Sequence, residues 1–221
     1  MNIPIIRKIY LKKKESVIRN KYKRREGLTT EGLKWVTDSI RVEIKRMKKS
    51  SINPMPEYFE KYINHVGDVE LSEAFANSIR VLETLDTELL TRLDGKRYAH
   101  GKWTVKGILQ HIIDWERILP QRALLFARKI NMTPPNIDET LLADNMNAER
   151  RTIDGLLCEL KIARASTKEM FDSFDDEMLL NQGTNWKYEM SVLAMGFTII
   201  GHQSHHLNII EEKYYPLLDS R

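Results

Sequence analysis

The segment "GHQSHHLNII", residues 201–210, carries three of the six histidines in the chain. His202 and His206 are four residues apart, so on a helix they lie about one turn apart and about 40° from each other around the axis. Both imidazoles can therefore reach one metal ion. His205 lies about 60° to the other side of His202 and is the less natural partner. The pair indicates a metal site; the alternative is that both rings only bond to nearby carbonyl groups.

A metal site needs a further ligand, because a tetrahedral ion takes three or four protein side chains. His111 lies on the inward stripe of the second predicted helix, beside Ile108 and Trp115, whereas His65 and His100 fall outside the helix cores. Bundles build metal centres from side chains on facing helices. We therefore expect a three-histidine site, which suits Zn²⁺, Ni²⁺ or Fe²⁺ and leaves one position open.

An ion with an open position supports two kinds of chemistry on a small-molecule substrate. It can polarise a carbonyl group and make water more acidic, which gives hydrolysis. It can also bind and deprotonate a low-molecular-weight thiol as cosubstrate, which gives thiol S-transfer. A non-catalytic metal-binding module for stress response or ligand sensing is the alternative, because few titratable side chains lie near the predicted ligands.

Two further residues are candidates for a role near this site. Asp114, three residues after His111, could orient a ligand histidine, or it could be a surface charge. Arg122 lies three turns along the same face and could bind an anionic group of a cosubstrate, although pairing with an acidic neighbour is favoured. Asp114 and Arg122 are thus the candidate catalytic residues. Cys158, the single cysteine, is expected to be a small core residue.

Four amphipathic helical segments must position these residues. Hydrophobic residues recur at helical spacing over about 68–93, 104–129, 143–174 and 191–213. Thr104 and Ser191 are predicted N-caps, and Pro120 is expected to kink the second helix or leave a local irregularity. No strand-like alternation of useful length is present. The sequence therefore predicts an all-α protein built as a four-helix bundle.

Charge divides the chain into two parts. Residues 1–50 have a balance of +11, and residues 51–221 have a balance of −7. We therefore predict a basic N-terminal extension over residues 1–54, partly disordered, with a possible amphipathic helix at 30–49, and a bundle domain over residues 55–221. An extension without a function is favoured over contact of residues 1–50 with nucleic acid or an anionic surface.

Targeting signals are not evident in the sequence. The N-terminus does not resemble a signal peptide, and no apolar run approaches the roughly 18 residues of a membrane span. The single cysteine excludes an internal disulfide and fits a reducing compartment. A cytoplasmic protein without a membrane span is expected.

Two segments resemble the DinB-like superfamily, the four-helix metal-binding proteins that include YfiT-type bacillithiol transferases. They are "GKWTVKGILQHIIDWERILPQRALLFAR" (101–128) and "GHQSHHLNIIEEKY" (201–214). The resemblance covers about residues 57–217 and rests on the patterns W-[ST]-V-x(5)-H-x(2)-D-x-E and H-x(3)-H. It implies a divalent metal held by His111, His202 and His206, and a homodimer.

The sequence departs from the family at three places. Gly107 stands where Glu is common, which weakens the capping box expected from Thr104. Pro120 stands where a good helix former is usual. The basic extension has no counterpart, because family members commonly start near the equivalent of Met55. None of these departures removes a predicted metal ligand.

Overall fold

The computed structural model of the protein describes residues 47–130 and 132–218. Predictions for residues 1–46 lie outside the described residues. The α-helices, in chain order, are α1 (Glu60–Ile63), α2 (Leu71–Glu83), α3 (Thr87–Arg92), α4 (Val105–Ala127), α5 (Glu139–Asp144), α6 (Ile153–Asp172), α7 (Asp176–Leu180) and α8 (Val192–Ile209). The long helices α2, α4, α6 and α8 form a four-helix bundle, as the sequence predicts.

Side chains that cap helix N-termini explain where the two site-bearing helices begin. Thr104 accepts a hydrogen bond from the Gly107 amide at the start of α4, and Ser191 accepts one from the Ala194 amide at the start of α8. Each bond satisfies a backbone donor that the first helical turn leaves free. Both predicted caps are confirmed. α4 continues through Pro120 as one helix.

The structure corrects the predicted elements in three places. The first predicted helix is two helices, because the Asp86 side chain caps a new helix, α3. The third long helix begins at Ile153, after its cap Thr152, about ten residues later than predicted. The segment between Asn181 and Val192 forms a two-stranded antiparallel hairpin, β1 (Gln182–Asn185) and β2 (Tyr188–Ser191), in which Gln182 pairs with Ser191. Strands of four residues are too short to show a clear alternation.

Two clusters of apolar side chains form the core, and they meet α4 and α8 at opposite ends. The first cluster includes Leu119 and Ala123 of α4 together with residues 192–195, Phe197, Ile199 and Ile200 of α8. The second includes Val105, Ile108, Leu109, Ile112 and Ile113 of α4 and, beyond α8, Ile210 and Tyr214. α4 and α8 are therefore antiparallel, and residues 202–206 lie between the two clusters.

One glycine allows the short helix α1 to lie directly against α8. A Cβ atom on Gly201 would lie 1.9 Å from the backbone oxygen of Tyr62. No side chain fits there without moving the backbone, so Gly201 is required by the close approach of the two helices. This approach places the Tyr62 ring against His202, with ring centroids 5.3 Å apart.

Residues just before the predicted bundle domain also contact it. Met47 and Ile52 are buried in the first apolar cluster, and the Leu71 amide donates to the Met47 carbonyl oxygen at 3.0 Å. The boundary after residue 54 stays a prediction. In the described ranges, no helix is both long enough and apolar enough to span a membrane.

Candidate metal centre

Three histidines from two antiparallel helices meet in the middle of the bundle. His111 Nε2 of α4 lies 3.1 Å from His202 Nε2 of α8, and His206 Nε2 lies 3.1 Å from the same atom. One ring nitrogen from each residue lies within 4.8 Å of the other two. All three residues are less than 10% exposed. The structure thus brings together the three histidines that the sequence indicates as ligands.

Burial keeps these imidazoles neutral near pH 7. Desolvation, followed by the charge of His205, lowers the pKa of His111 to about 4. Desolvation lowers the pKa of His206 to about 2, with His111 as the next cause. Desolvation also holds the pKa of His202 well below its ordinary value. Neutral rings offer the lone pairs that a metal ion requires.

Hydrogen bonding among the three rings leaves the group incompletely satisfied. A neutral imidazole has one N–H donor and one acceptor nitrogen. His202 Nε2 has two Nε2 neighbours at 3.1 Å, and one atom with one proton or one lone pair cannot bond well to both. His206 Nδ1 is buried and has no hydrogen-bond partner among the described residues.

Two of the three nitrogen separations match those expected around one cation. Zn–N bonds of about 2.0–2.1 Å place two ligand nitrogens roughly 3.0–3.4 Å apart, depending on the coordination geometry. The two 3.1 Å separations lie within that range. Nitrogen-only donors suit Zn²⁺, Ni²⁺ or Fe²⁺ better than Mg²⁺ or Ca²⁺, which prefer oxygen.

A carboxylate that sequence reasoning missed lies beside this group. Glu139 Oε1 is 3.6 Å from His111 Nε2, and the Glu139 side chain is 55% exposed. Since the lowered pKa of His111 leaves that ring neutral, the contact is not an ion pair near pH 7. Asp138 caps α5 and accepts from the Thr140 and Leu141 amides, which fixes the position of Glu139. The Asp-Glu pair after "PPN" is the sequence signal for this cap.

Aromatic rings enclose the histidines. The Trp103 ring lies 4.7 Å from the His111 ring, and the Trp115 ring lies 6.3 Å from it, measured between centroids. The Tyr214 hydroxyl donates to the Trp103 backbone oxygen and holds this residue in place. The rings limit the access of water to the three imidazoles.

A cavity of about 190 Å³ opens beside His202. Its apolar part is largely aromatic, and its polar part includes Arg122, Glu139 and Asn185. A cavity with apolar walls and a few convergent polar groups is typical of a small-molecule site.

Arg122 belongs to this cavity, and its hydrogen-bond partners are neutral. One guanidinium nitrogen donates to the Asn185 side-chain oxygen, and Nη2 donates to the Pro135 backbone oxygen at 2.8 Å. The favoured pairing with an acidic neighbour is wrong for the described residues, because none of their carboxylates pairs with Arg122. Only 5% of the residue is exposed, and desolvation lowers its pKa.

The remaining candidates do not join the three-imidazole group, although the His205 ring lies 5.0 Å from the His206 ring, measured between centroids. Asp114 accepts a hydrogen bond from Gln110 Nε2 at 2.8 Å and is not seen to contact a histidine in the described part of the chain. His65 and His100 are exposed, and the His205 ring contacts Tyr62 and His65. Cys158 is exposed on α6, so the expectation that it is a core residue is wrong.

A second buried polar group lies in the same bundle. Arg164 of α6 donates through Nε and Nη2 to the two carboxylate oxygens of Glu116 on α4, at 2.9 and 2.7 Å. Its Nη1 donates to Ser78 Oγ on α2, and Nη2 also donates to the Ile199 backbone oxygen on α8. This ion pair connects all four long helices.

Comparison with known proteins gives one family and one similar fold. The family model of the DinB superfamily matches residues 70–210. Among solved structures, the chain is similar to YfiT from Bacillus subtilis, described as "a probable metal-dependent hydrolase with an unusual four-helix bundle topology". The match has a TM-score of 0.54 and 18% identity, and it covers 73% of this chain and 88% of that chain. No curated protein matches the sequence.

Proposed function

The chain belongs to the DinB superfamily, and from that premise we propose that it is a divalent-metal-dependent hydrolase of a small molecule. His111, His202 and His206 would hold the ion, and Zn²⁺, Ni²⁺ and Fe²⁺ are the candidates. The observation that carries the proposal is the convergence of three buried, neutral imidazoles beside a cavity. The description of YfiT as a probable metal-dependent hydrolase supports the same assignment.

The residues around the imidazoles would have different roles in hydrolysis. When bound, a divalent ion supplies Lewis acidity, which polarises a carbonyl group and makes water more acidic. Glu139 would accept the proton that the attacking water loses, because its carboxylate lies at the edge of the three imidazoles and at the cavity wall. The Trp115 and Tyr62 rings would exclude bulk water from the substrate.

Hydrolysis is proposed ahead of thiol S-transfer because it needs only water beside the substrate. Attack by water requires a group that takes up a proton, and Glu139 is placed to do so. Transfer of a thiol would need an external thiol as cosubstrate, since Cys158 is exposed on a different helix from all three histidines. A homodimeric state and a cytoplasmic location stay predictions from the sequence and the family resemblance.

The test combines metal analysis with turnover. Protein purified without a nickel column should contain about one equivalent of divalent metal, and His202→Gln should contain almost none. Glu139→Gln should keep the metal and lose about 100-fold or more in kcat on a responsive ester or amide, the usual range for a lost general base. His100→Gln, at an exposed histidine, is the matched control and should change neither value.

Three other outcomes would overturn the proposal. Much less than half an equivalent of metal in the wild type would remove its basis. Turnover that needs an added thiol and an electrophile would assign S-transfer instead. Full metal occupancy with no turnover of esters, of amides or of thiols with electrophiles would assign a non-catalytic binding module.

A further inference from the structure

The Arg122 guanidinium has no ion-pair partner in the described part of the chain. Arg122 is a buried cation whose two acceptors are a neutral amide oxygen and a neutral backbone oxygen. Glu139 lines the same cavity, but it forms no ion pair with Arg122 and lies instead beside His111. Burying a cation without a counter-ion is unfavourable, and an anionic ligand at this position would remove that cost.

The guanidinium also has donors to spare. An arginine side chain carries five N–H groups, and the two acceptors found among the described residues leave three for a ligand. The Asn185 and Pro135 bonds hold the planar group in one orientation. Such a group is suited to bind a carboxylate through two parallel hydrogen bonds.

Two lysines extend the positive charge to the aromatic walls of the cavity. Lys61 Nζ lies 4.2 Å from the centroid of the Tyr58 ring, and Lys187 Nζ lies 4.5 Å from that of the Trp186 ring. Both rings line the cavity. Cations at these positions attract anions toward the cavity.

Arg122 and His111 lie far apart along α4. Arg122 follows His111 by eleven residues, which is about 16 Å along the helix axis. His202 and Arg122 nevertheless line one cavity. A ligand could therefore have one end at the guanidinium and its reacting group at the histidines.

We propose that the cavity selects small organic carboxylates, with Arg122 binding the carboxylate and the aromatic side chains contacting an apolar body. The proposal rests on the proposed function only for what happens at the other end of the ligand. A carboxylate is favoured over a phosphate monoester, because one buried arginine balances a single negative charge and the Glu139 carboxylate on the same cavity wall disfavours a second one. Arg122 thus determines substrate class.

The test measures binding to the metal-free full chain, so that a carboxylate cannot bind to a metal ion instead. Acetate, hexanoate and benzoate are the probes, benzamide is the neutral equivalent of benzoate, and phenyl phosphate is the competing anion. Calorimetry or NMR titration should show benzoate binding at least 10-fold more tightly than benzamide. Arg122→Met should weaken benzoate about 10- to 100-fold, the effect of losing a charged hydrogen-bond donor.

Arg128→Met is the matched control, because Arg128 lies at the end of the same helix, is exposed and is absent from the cavity wall. It should leave benzoate binding unchanged. If Arg122→Met does not fold, the preference of the wild type for benzoate over benzamide decides the question. Equal affinities for these two, failure of all three carboxylates to bind, or tighter binding of phenyl phosphate would overturn the proposal.

Metal content separates this inference from the proposed function. Arg122→Met should keep about one equivalent of metal, because Arg122 does not contact the three histidines. If the wild type contains the expected metal but does not prefer carboxylates, only the carboxylate site is overturned. Carboxylate selectivity in a protein that binds no metal would overturn only the hydrolase.

Discussion

Two buried polar groups connect α4 and α8, and they differ in how completely their hydrogen bonds are made. In the Arg164–Glu116 ion pair, both carboxylate oxygens accept from the guanidinium, and Ser78 and the Ile199 carbonyl take up further donors. In the histidine group, three Nε2 atoms face one another and His206 Nδ1 has no partner in the described part of the chain.

The difference indicates that buried polar side chains have two different roles in this protein. A group whose donors and acceptors are paired contributes to the structure and has little left to offer a ligand. A group whose nitrogens converge and are not all paired with one another has lone pairs available for a ligand such as a metal ion. The ion pair is therefore assigned to stability, and the histidines are proposed to bind a metal.

The largest effect is expected from breaking the ion pair. Arg164→Met would leave the Glu116 carboxylate buried without a cation and should lower the free energy of unfolding by about 3–5 kcal/mol. Chemical denaturation of the metal-free protein measures this change. Adding Glu116→Leu in the same chain should recover much of the loss, because the uncompensated charge is then removed. If Arg164→Met alone were as stable as the wild type, a structural role for the ion pair would be contradicted.

A smaller effect is expected at the histidines, and it should depend on metal. Zn²⁺ at about 100 times its dissociation constant should raise the free energy of unfolding of the wild type by about 2.7 kcal/mol. His202→Gln should lose this increase, because one of three ligands is gone, whereas Arg164→Met should keep it if it folds. Thermal unfolding with and without Zn²⁺ measures both. If Zn²⁺ stabilised His202→Gln as much as it stabilises the wild type, the proposed difference between the two groups would be wrong.

The smallest effect is expected at Cys158, which belongs to neither group. Its side chain is exposed on α6, so Cys158→Ser should change the free energy of unfolding by no more than about 0.5 kcal/mol. Metal content and any hydrolytic turnover should stay at wild-type values. A loss of turnover without a loss of metal would show that this thiol takes part in the reaction.

Much of the bundle could be predicted from the sequence because its signals are local. The spacing of apolar residues in α4 and α8 follows the helical repeat, and the caps Thr104 and Ser191 directly precede those helices. The hairpin at 182–191 and the break before α3 were missed, because each depends on a few residues. Cys158 was misplaced because one apolar residue among others does not show which side of a helix faces the core.

The candidate site could be predicted only in part. The pair His202 and His206 follows from helical spacing, and His111 was chosen because it lies on an inward stripe. Glu139 could not be found in this way, since it reaches His111 from a separate short helix, α5, about thirty residues later in the chain. Likewise, spacing could not show that Arg122 would pair with Asn185 rather than with an acid.

The sequence by itself determined the four long helices in outline and the inward faces of α4 and α8, because helical periodicity and capping are properties of neighbouring residues. Only the tertiary structure decided which side chains from distant segments share a space. It placed Glu139 at the histidines, gave Arg122 neutral partners, and closed the ion pair between Arg164 and Glu116. These contacts depend on how whole helices pack against one another, and that packing cannot be predicted from a local sequence pattern.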